Sequence, residues 1–517
     1  MLSASLRLAA AAFARCRSAD WLPLGFLALL ALAVPGRAAT RNVPASYATI
    51  QAAVNASQSG DTVILEDGTY TGPGDVDVDF GGRNITITSQ NGAATTIIDC
   101  GGSSSVYHRG FYLHNYETNA VISGLTIQNG YEGSTGGYGG GRGGGIYNFG
   151  AGLIVQDCVL KNNMAVGSGG IGGGIYSGTQ NSSGFTVMNC TFTGNTANAG
   201  AGGGIYESPS SGVFTVTGCT FTGNTAGSGG GINNRNFGSS TFTVTNCTLT
   251  GNTASSGSGG GLYNSNGSSS TTSLTNCVFT GNAAGSGGGI NNSNFGFGTF
   301  TVTNCTLTGN TANVGSGGGL YNANGYNSSG ATSTLTNDIL YGDAGGEVNA
   351  GSPGTFSHCD IQGGYLGAGN ISADPVFVNT AGGDFHLQPA SPCVGAGTSA
   401  GAPATDRDGS PRPNPPSIGA YEPVELVALA FPSPVPGGTV VAATVTLSGP
   451  AATDTVVGLT SSDSSVVRVH RAMIVPAGSS SATFLINTYR SHVTKTVTIQ
   501  ATLGSVVQAK DLTITGR

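Results

Sequence analysis

Three carboxylates, Asp75, Asp77 and Asp79, alternate along the chain, a spacing that puts all three on the outward face of one strand. Oxygen ligands arranged this way could hold calcium, the only cofactor the sequence raises. The same row also serves as a solvated strand edge. Behind it come Arg83, Asp99, His108, Arg109, His114 and Glu117. Gathered in neighbouring turns of a regular fold, they would supply the carboxylate, imidazole and guanidinium of an acid–base site. Their order matches no catalytic motif, and no catalytic residue is assigned. Asp406-Arg-Asp408-Gly409 resembles a metal loop but lacks the further ligands of a calcium loop, so a structural turn is expected. Between residues 162 and 330 the only charged side chains are Glu207 and Arg235. Nothing there can build a carboxylate pair or a general base.

A neutral middle of this kind suits binding better than chemistry. Tyr147, Tyr176, Tyr206, Tyr263 and Tyr321 each follow the Ile or Leu after a Gly-Gly-Gly tract. They could stack on sugar rings or pack beside a Gly-rich corner. Charged residues make up 8 % of the 517-residue chain and Gly contributes 89 residues. Regularly spaced Ile, Val, Leu, Phe and Cys supply the core that a disordered chain would lack. The formal net charge of -7 argues against nucleic acid as a partner.

The elements that would carry these residues follow from an internal repeat. Gly-Gly-Gly precedes Ile146, Ile175, Ile205, Ile232, Leu262, Ile290 and Leu320. Each tract is followed by a loop of variable length and a block such as Phe214-Thr-Val-Thr-Gly-Cys-Thr-Phe-Thr-Gly-Asn224. Period-two alternation inside the block means strand. Phe214 and Val216 share one parity, and Cys219 and Phe221 the other, so the chain must bend between them. The residue before each Cys is Asp157, Asn189, Gly218, Asn246, Asn276 or Asn304, all types that tolerate a left-handed backbone. The Gly-Asn pair closing the block marks a second corner, and the loop forms the third side. The expected fold is all-β: a right-handed parallel β-helix with three strands per coil over residues 39–422. Thr49 to Ala56 reads as a helix capping its open end, with Ile50, Ala53 and Val54 on one side.

Residues 424–517 change character. Alternating runs at Val440–Leu447, Thr455–Leu459, Val466–Val469, Ala482–Ile486, Thr496–Ala501 and Ala509–Thr515 predict an immunoglobulin-like β-sandwich. Residues 1–38 read as a signal peptide: Arg7, Arg15 and Arg17, an apolar run from Leu22 to Val34, and small residues up to Ala38. The run is shorter than the about 20 residues a membrane span needs, so no transmembrane segment is expected in the mature chain. Removing that segment also removes Cys16 and leaves nine cysteines. Cys158, Cys190, Cys219, Cys247, Cys277 and Cys305 share one slot with Leu125. Stacked strands hold that slot near 4.8 Å apart, wider than the about 3.8 Å between the Cβ atoms of a disulfide. A ladder of buried thiols is favoured over a disulfide framework.

Several of these motifs resemble the pectin-lyase-like right-handed β-helix superfamily. The opening Tyr47-Ala-Thr-Ile-Gln-Ala-Ala-Val54, Gly60-Asp-Thr-Val-Ile64 and Gly68-Thr-Tyr70 is similar to the start of many such proteins. The Gly-Gly-Ile and Phe-Thr-Gly-Asn pairing resembles the repeat of chlamydial polymorphic outer-membrane proteins, which are adhesins. Asp374-Pro-Val-Phe377, Asp384-Phe-His-Leu387, Ser391-Pro392 and Ile418-Gly-Ala-Tyr-Glu422 resemble the closing module of secreted bacterial β-helix proteins, with Gly395 where an Asp is usual. The resemblance implies a fold that hosts lyases, hydrolases and epimerases as well as non-enzymatic adhesins. Uronate lyases of this fold use calcium on several carboxylates with an Arg or Lys base, a set the neutral middle lacks. The expectation is a secreted or cell-surface non-catalytic protein binding polysaccharide or a surface protein. The alternative is a polysaccharide-active enzyme with its site in the N-terminal coils, which would bring Asp99, His108, Arg109 and Glu117 into one cleft.

Overall fold

The computed structural model describes residues 38–516, apart from 134–139, 179–183, 210, 237, 314–315, 325–329, 352–353, 450, 452–453 and 505. The segment read as a signal peptide therefore lies outside the described residues, save Ala38.

One coil shows how the block folds. Phe214 and Val216 point inward from a strand at Ser211–Thr217. Gly218 then adopts φ 63°, reversing the parity, and Cys219 and Phe221 become the inward residues around the strand Thr220–Thr222. The same position is left-handed at Asp157, Asn189, Asn246, Asn276 and Asn304, with φ between 52° and 55°. Gly223 makes the next corner at φ 62° and turns Asn224 into the core. Ile232 and Asn234 point inward from the last side, Ile232–Asn236.

Stacked coils give three long parallel sheets. The first has twelve strands, from Thr40–Val43 to Thr355–Ser357; the second has eleven, from Gly68–Tyr70 to Asp360–Ile361; the third has ten, from Val78–Asp79 to Val348–Ala350. A fourth, of five short strands from Tyr131–Glu132 to Thr253–Ala254, lies between the second and third sides in the middle coils. It is a side beyond the three expected, made where the residues after Gly-Asn, such as Thr225-Ala226, pair with their counterparts. His358-Cys359-Asp-Ile361 forms a further coil through Asp360–Ile361.

Registry puts like upon like. Phe185 pairs with Phe214 and Phe214 with Phe242, their rings parallel at 5.1 and 4.6 Å. The glycine tracts are a steric requirement: a Cβ on Gly230 would lie 2.6 Å from the carbonyl oxygen of Gly260 in the next coil. Among the described residues nine cysteines are buried and none forms a disulfide. In the shared slot the Sγ atoms of Cys190, Cys219, Cys247 and Cys305 each accept the backbone N–H of the cysteine one coil earlier, as in Cys190 to Cys219 at 3.4 Å.

Asparagine forms two further columns. Asn195, Asn224, Asn252 and Asn282 each accept at Oδ1 from the backbone N–H and side-chain amide of the asparagine one coil earlier, at 2.9 to 3.1 Å. Each Nδ2 also donates to a main-chain carbonyl, as Asn224 does to Phe192 at 3.0 Å. On the third side Asn234, Asn264, Asn292 and Asn322 are joined by side-chain hydrogen bonds of 2.7 to 2.8 Å. Burying so much amide is tolerable only because the polar atoms pair along the stack.

The N-terminal opening is covered by the helix Ile50–Ala56, which buries Ile50, Ala53 and Val54 and is N-capped by Thr49. Residues 374–422 pack on the outward face of the second sheet instead of across the end. In the outward slot shared by Thr220, Thr248 and Thr306 stand Val278 and Ile339. Val278 is buried with Phe385, Ala420 and Tyr421, and Ile339 with Leu387, Cys393 and Ile418. Asp406 organises the turn expected there, its Oδ1 accepting from the N–H groups of Asp408 and Ser410.

The remaining residues form a sandwich with its own core, including Val445, Val457, Val467, Ile486, Ile499 and Leu512. Its sheets have four and five strands. The six expected runs are all strands; Leu426–Ala430, Val435–Pro436 and Ala472–Val475 add three more.

Candidate functional site

The outward face of the third sheet is where side chains with binding chemistry collect. Tyr112 stands on Phe111–Leu113, Tyr147 on Ile146–Phe149, Tyr176 on Ile175–Gly178 and Tyr206 on Ile205–Glu207, all in one register row. Strand alternation places them outward because Phe111, Ile146, Ile175 and Ile205 fill the core. Ring centroids are 5.0 Å apart for Tyr112 and Tyr147, 5.1 Å for Tyr147 and Tyr176, and 5.8 Å for Tyr176 and Tyr206. Beyond Tyr206 the row alternates: Asn233, Tyr263, Asn291, Tyr321.

The row is not uniformly open. Tyr176 and Tyr206 are 6 % and 7 % exposed, so they pack against their neighbours and are closed to a ligand. Burial pushes the Tyr176 phenol up to about 12 even though the Arg142 charge opposes it. Tyr112 and Tyr147 stay half-buried, as do their strand neighbours His114 and Phe149, and Tyr263 and Tyr321 further along. His114 lies 4.2 Å from Tyr112 and Phe149 lies 6.4 Å from Tyr147, giving four aromatic rings on two adjacent coils.

Cations border this platform. The Arg109 guanidinium sits 5.3 Å from the Tyr112 ring centre and 5.1 Å from that of Tyr147. It is held by Glu132 through Nε to Oε1 at 3.0 Å and Nη2 to Oε2 at 2.7 Å, and Nη1 donates to the carbonyl of Arg142. The Arg142 guanidinium lies 5.4 Å from the Tyr176 ring centre. Burial raises Glu132 above the usual carboxylate range despite the opposing Arg109 charge. A fork-on-fork pair of this kind fixes Arg109 as an edge to the aromatic surface.

The acidic row takes separate partners. Asp75, Asp77 and Asp79 alternate with buried Val76, Val78 and Phe80, as expected, but only Val78–Asp79 is strand. Asp75 accepts the Ile50 N–H at the start of the capping helix. Asp77, at φ 54°, binds His108 Nδ1 at 2.5 Å and the Arg109 N–H. Asp79 binds His114 Nε2 at 3.2 Å and the Gly81 N–H. Among the described residues no group of three or more His, Cys, Asp or Glu side chains is placed to hold a metal ion.

The other charged candidates divide similarly. Asp99 accepts from Gln128 and Asn129; burial works to raise it, and these hydrogen bonds hold it below its ordinary value. Glu117 is buried and accepts the N–H groups of Gly82 and Asn115. Arg83 donates to the carbonyls of Ser57 and Phe80. His108 and Arg109 share Asp77, while Asp99 and Glu117 are bonded elsewhere. Glu207 is buried in the inward row of the third sheet, and Arg235 is exposed.

Sequence reasoning missed Tyr112, His114 as its ring neighbour, Phe149, Glu132 and Arg142 as parts of the platform. Tyr112 lies ahead of the first Gly-Gly-Gly tract, so the repeat did not mark it. A second unforeseen cluster holds the closing segment: His386 lies between Asp384 at 2.7 Å and Asp408 at 3.0 Å, and stacks 4.1 Å from Tyr421.

The chain is thus a parallel β-helix protein with an antiparallel sandwich after it. No protein-family model matches the sequence, and no curated protein shows significant similarity to it.

Proposed function

We propose that this is a non-catalytic β-helix protein, secreted or displayed at a cell surface, that binds glycan through the face around Tyr112 and Tyr147. The observation that carries the reading is the half-exposed set of Tyr112, His114, Tyr147 and Phe149, bordered by an Arg109 that Glu132 already occupies. Aromatic faces offer flat apolar area to the C–H surface of a sugar, and polar tips reach its hydroxyls. Stacked coils repeat such rings at about the strand spacing of 4.8 Å, which suits a linear polymer. The Asn and Tyr that alternate further along extend the surface with amide and phenol groups. The segment 1–38 supports export, and the resemblance to pectin-lyase-like proteins and polymorphic adhesins supports a polysaccharide or surface partner. His108 and Arg109 meet at Asp77, but Asp99 and Glu117 are bonded elsewhere, and this division favours binding over catalysis.

The test is retention of the full chain on immobilised neutral β-glucans, with reducing ends assayed in parallel. Retention without cleavage is expected, with affinity falling about tenfold in Tyr112→Ala/Tyr147→Ala. Retention unchanged in that variant removes the platform as the site. Cleavage lost on Arg109→Ala replaces the reading with the enzymatic one.

A further inference from the structure

The sandwich differs from the helix in charge. Residues 39–423 contain twenty Asp and Glu against eight Lys and Arg, whereas residues 424–517 contain four against six. The excess is concentrated where the chain passes from Val467–Arg468, the edge strand of the four-stranded sheet, to Ala472–Val475, the edge of the five-stranded one. That crossing borders a groove of about 740 Å³ lined by Arg468, His470, Arg471, Tyr489, Asn487 and Ser461.

Two features of the groove point to a ligand. Arg468, His470 and Arg471 are exposed, and the ion pair of the sandwich among the described residues is Lys495 with Asp463, at 3.7 Å. Neither arginine is thus neutralised by a carboxylate. The Tyr489 ring is 45 % exposed, while its backbone N–H is fixed to the Val466 carbonyl at 2.8 Å. The groove is anchored by main-chain pairing on both walls, since Leu459 donates to the Arg471 carbonyl and Arg468 pairs with Asn487 across strands.

We propose that this groove is a second binding site, for a carboxylate-bearing oligosaccharide. Guanidinium forks match carboxylates in shape and charge. Tyr489 offers a stacking face, and the exposed Asn487 offers an amide for hydroxyls. Its size falls within the range of about 300–1,000 Å³ that holds small ligands. The site is separate from the platform around Tyr112 and does not rest on it.

The experiment is titration of the full chain with hexagalacturonate, with its fully methyl-esterified form as the neutral counterpart, read by calorimetry and by hydrogen exchange at residues 459–471 and 487–489. Binding that slows exchange in those segments and weakens with salt is expected. Affinity should fall about tenfold or more in Arg468→Ala/Arg471→Ala, recover partly in Arg468→Lys/Arg471→Lys, and stay unchanged in Lys161→Gln on the helix. Both arginines are exposed, so folding is checked simply by an unchanged melting curve. The proposal is overturned if the acid does not bind, if the ester binds equally well, or if the double alanine variant binds like the parent.

Discussion

The carboxylate of Asp343 stands at the end of the asparagine column, accepting the backbone N–H of Asn310 at 2.6 Å and its side-chain amide at 2.9 Å. It occupies the position that Asn195, Asn224, Asn252, Asn282 and Asn310 hold in earlier coils. Unlike them it has no amide to donate. Its own N–H goes to Glu347 Oε1 at 3.1 Å, which turns the column back on the chain.

Burial raises Asp343 well above its ordinary value, and the neighbouring Glu347 charge adds to this. The folded coil therefore holds a proton that the unfolded chain releases. Its stabilising contribution is complete below the ordinary aspartate range and is lost as pH rises through the raised value. Asp343→Asn restores the amide of the repeat, able to donate to the Leu307 carbonyl as Asn310 donates to Phe279. We expect the variant to gain about 1 kcal/mol at neutral pH and to lose most of the decline with pH. Urea unfolding at a series of pH values measures both; an unchanged slope would assign the pH dependence to other groups.

Two glycines one corner apart should respond very differently to alanine. At Gly223, φ 62°, an added Cβ meets nothing within 4 Å, so the cost is left-handed strain alone, about 1 kcal/mol. At Gly230 the Cβ would lie 2.6 Å from the Gly260 oxygen and from the backbone of Thr253. Backbone on both sides cannot yield without separating the coils, and a loss of about 3 kcal/mol or more is expected. Melting curves of the two variants compare them; equal losses would show that the stack absorbs the extra atom.

Arg412 and Glu422 pair at 2.6 Å with 2 % and 4 % of their side chains exposed, and Arg412 also donates to Asn276 Oδ1 at 2.9 Å. Arg412→Gln leaves Glu422 buried without its countercharge, which costs about 3–5 kcal/mol. The closing segment should then lift from the second sheet, accelerating hydrogen exchange at Asn276–Val278 while the first sheet stays protected. Uniform acceleration would mean that the segment and the helix unfold as one unit.

The coil was legible because every rule it obeys is local: alternation sets the strands, and Asn, Asp or Gly before each cysteine sets the bend. The fourth sheet was not, because strands as short as Thr225-Ala226 leave too little alternation to read. The docking of residues 374–422 was not legible either: Val278 and Ile339 are apolar where the flanking Thr248 and Thr306 are polar, but Ile97 and Val159 hold the same slot in earlier coils, so an apolar residue there does not by itself mark a covered face. The platform was half legible. The recurrent tyrosines marked its row, but which of them stay open depends on neighbours such as Arg142. The Arg109–Glu132 pair was hidden because irregular N-terminal loops obscure which residues fall side by side.

The cysteine column has a further consequence. With its members buried, and Asp338 standing in for one of them between Cys305 and Cys359, an alkylating reagent gains access to a given coil only when that coil opens. The molecule carries its own clock: the sequence in which Cys158, Cys190, Cys219, Cys247, Cys277, Cys305 and Cys359 become modified records whether the rod unzips from one end or parts in the middle.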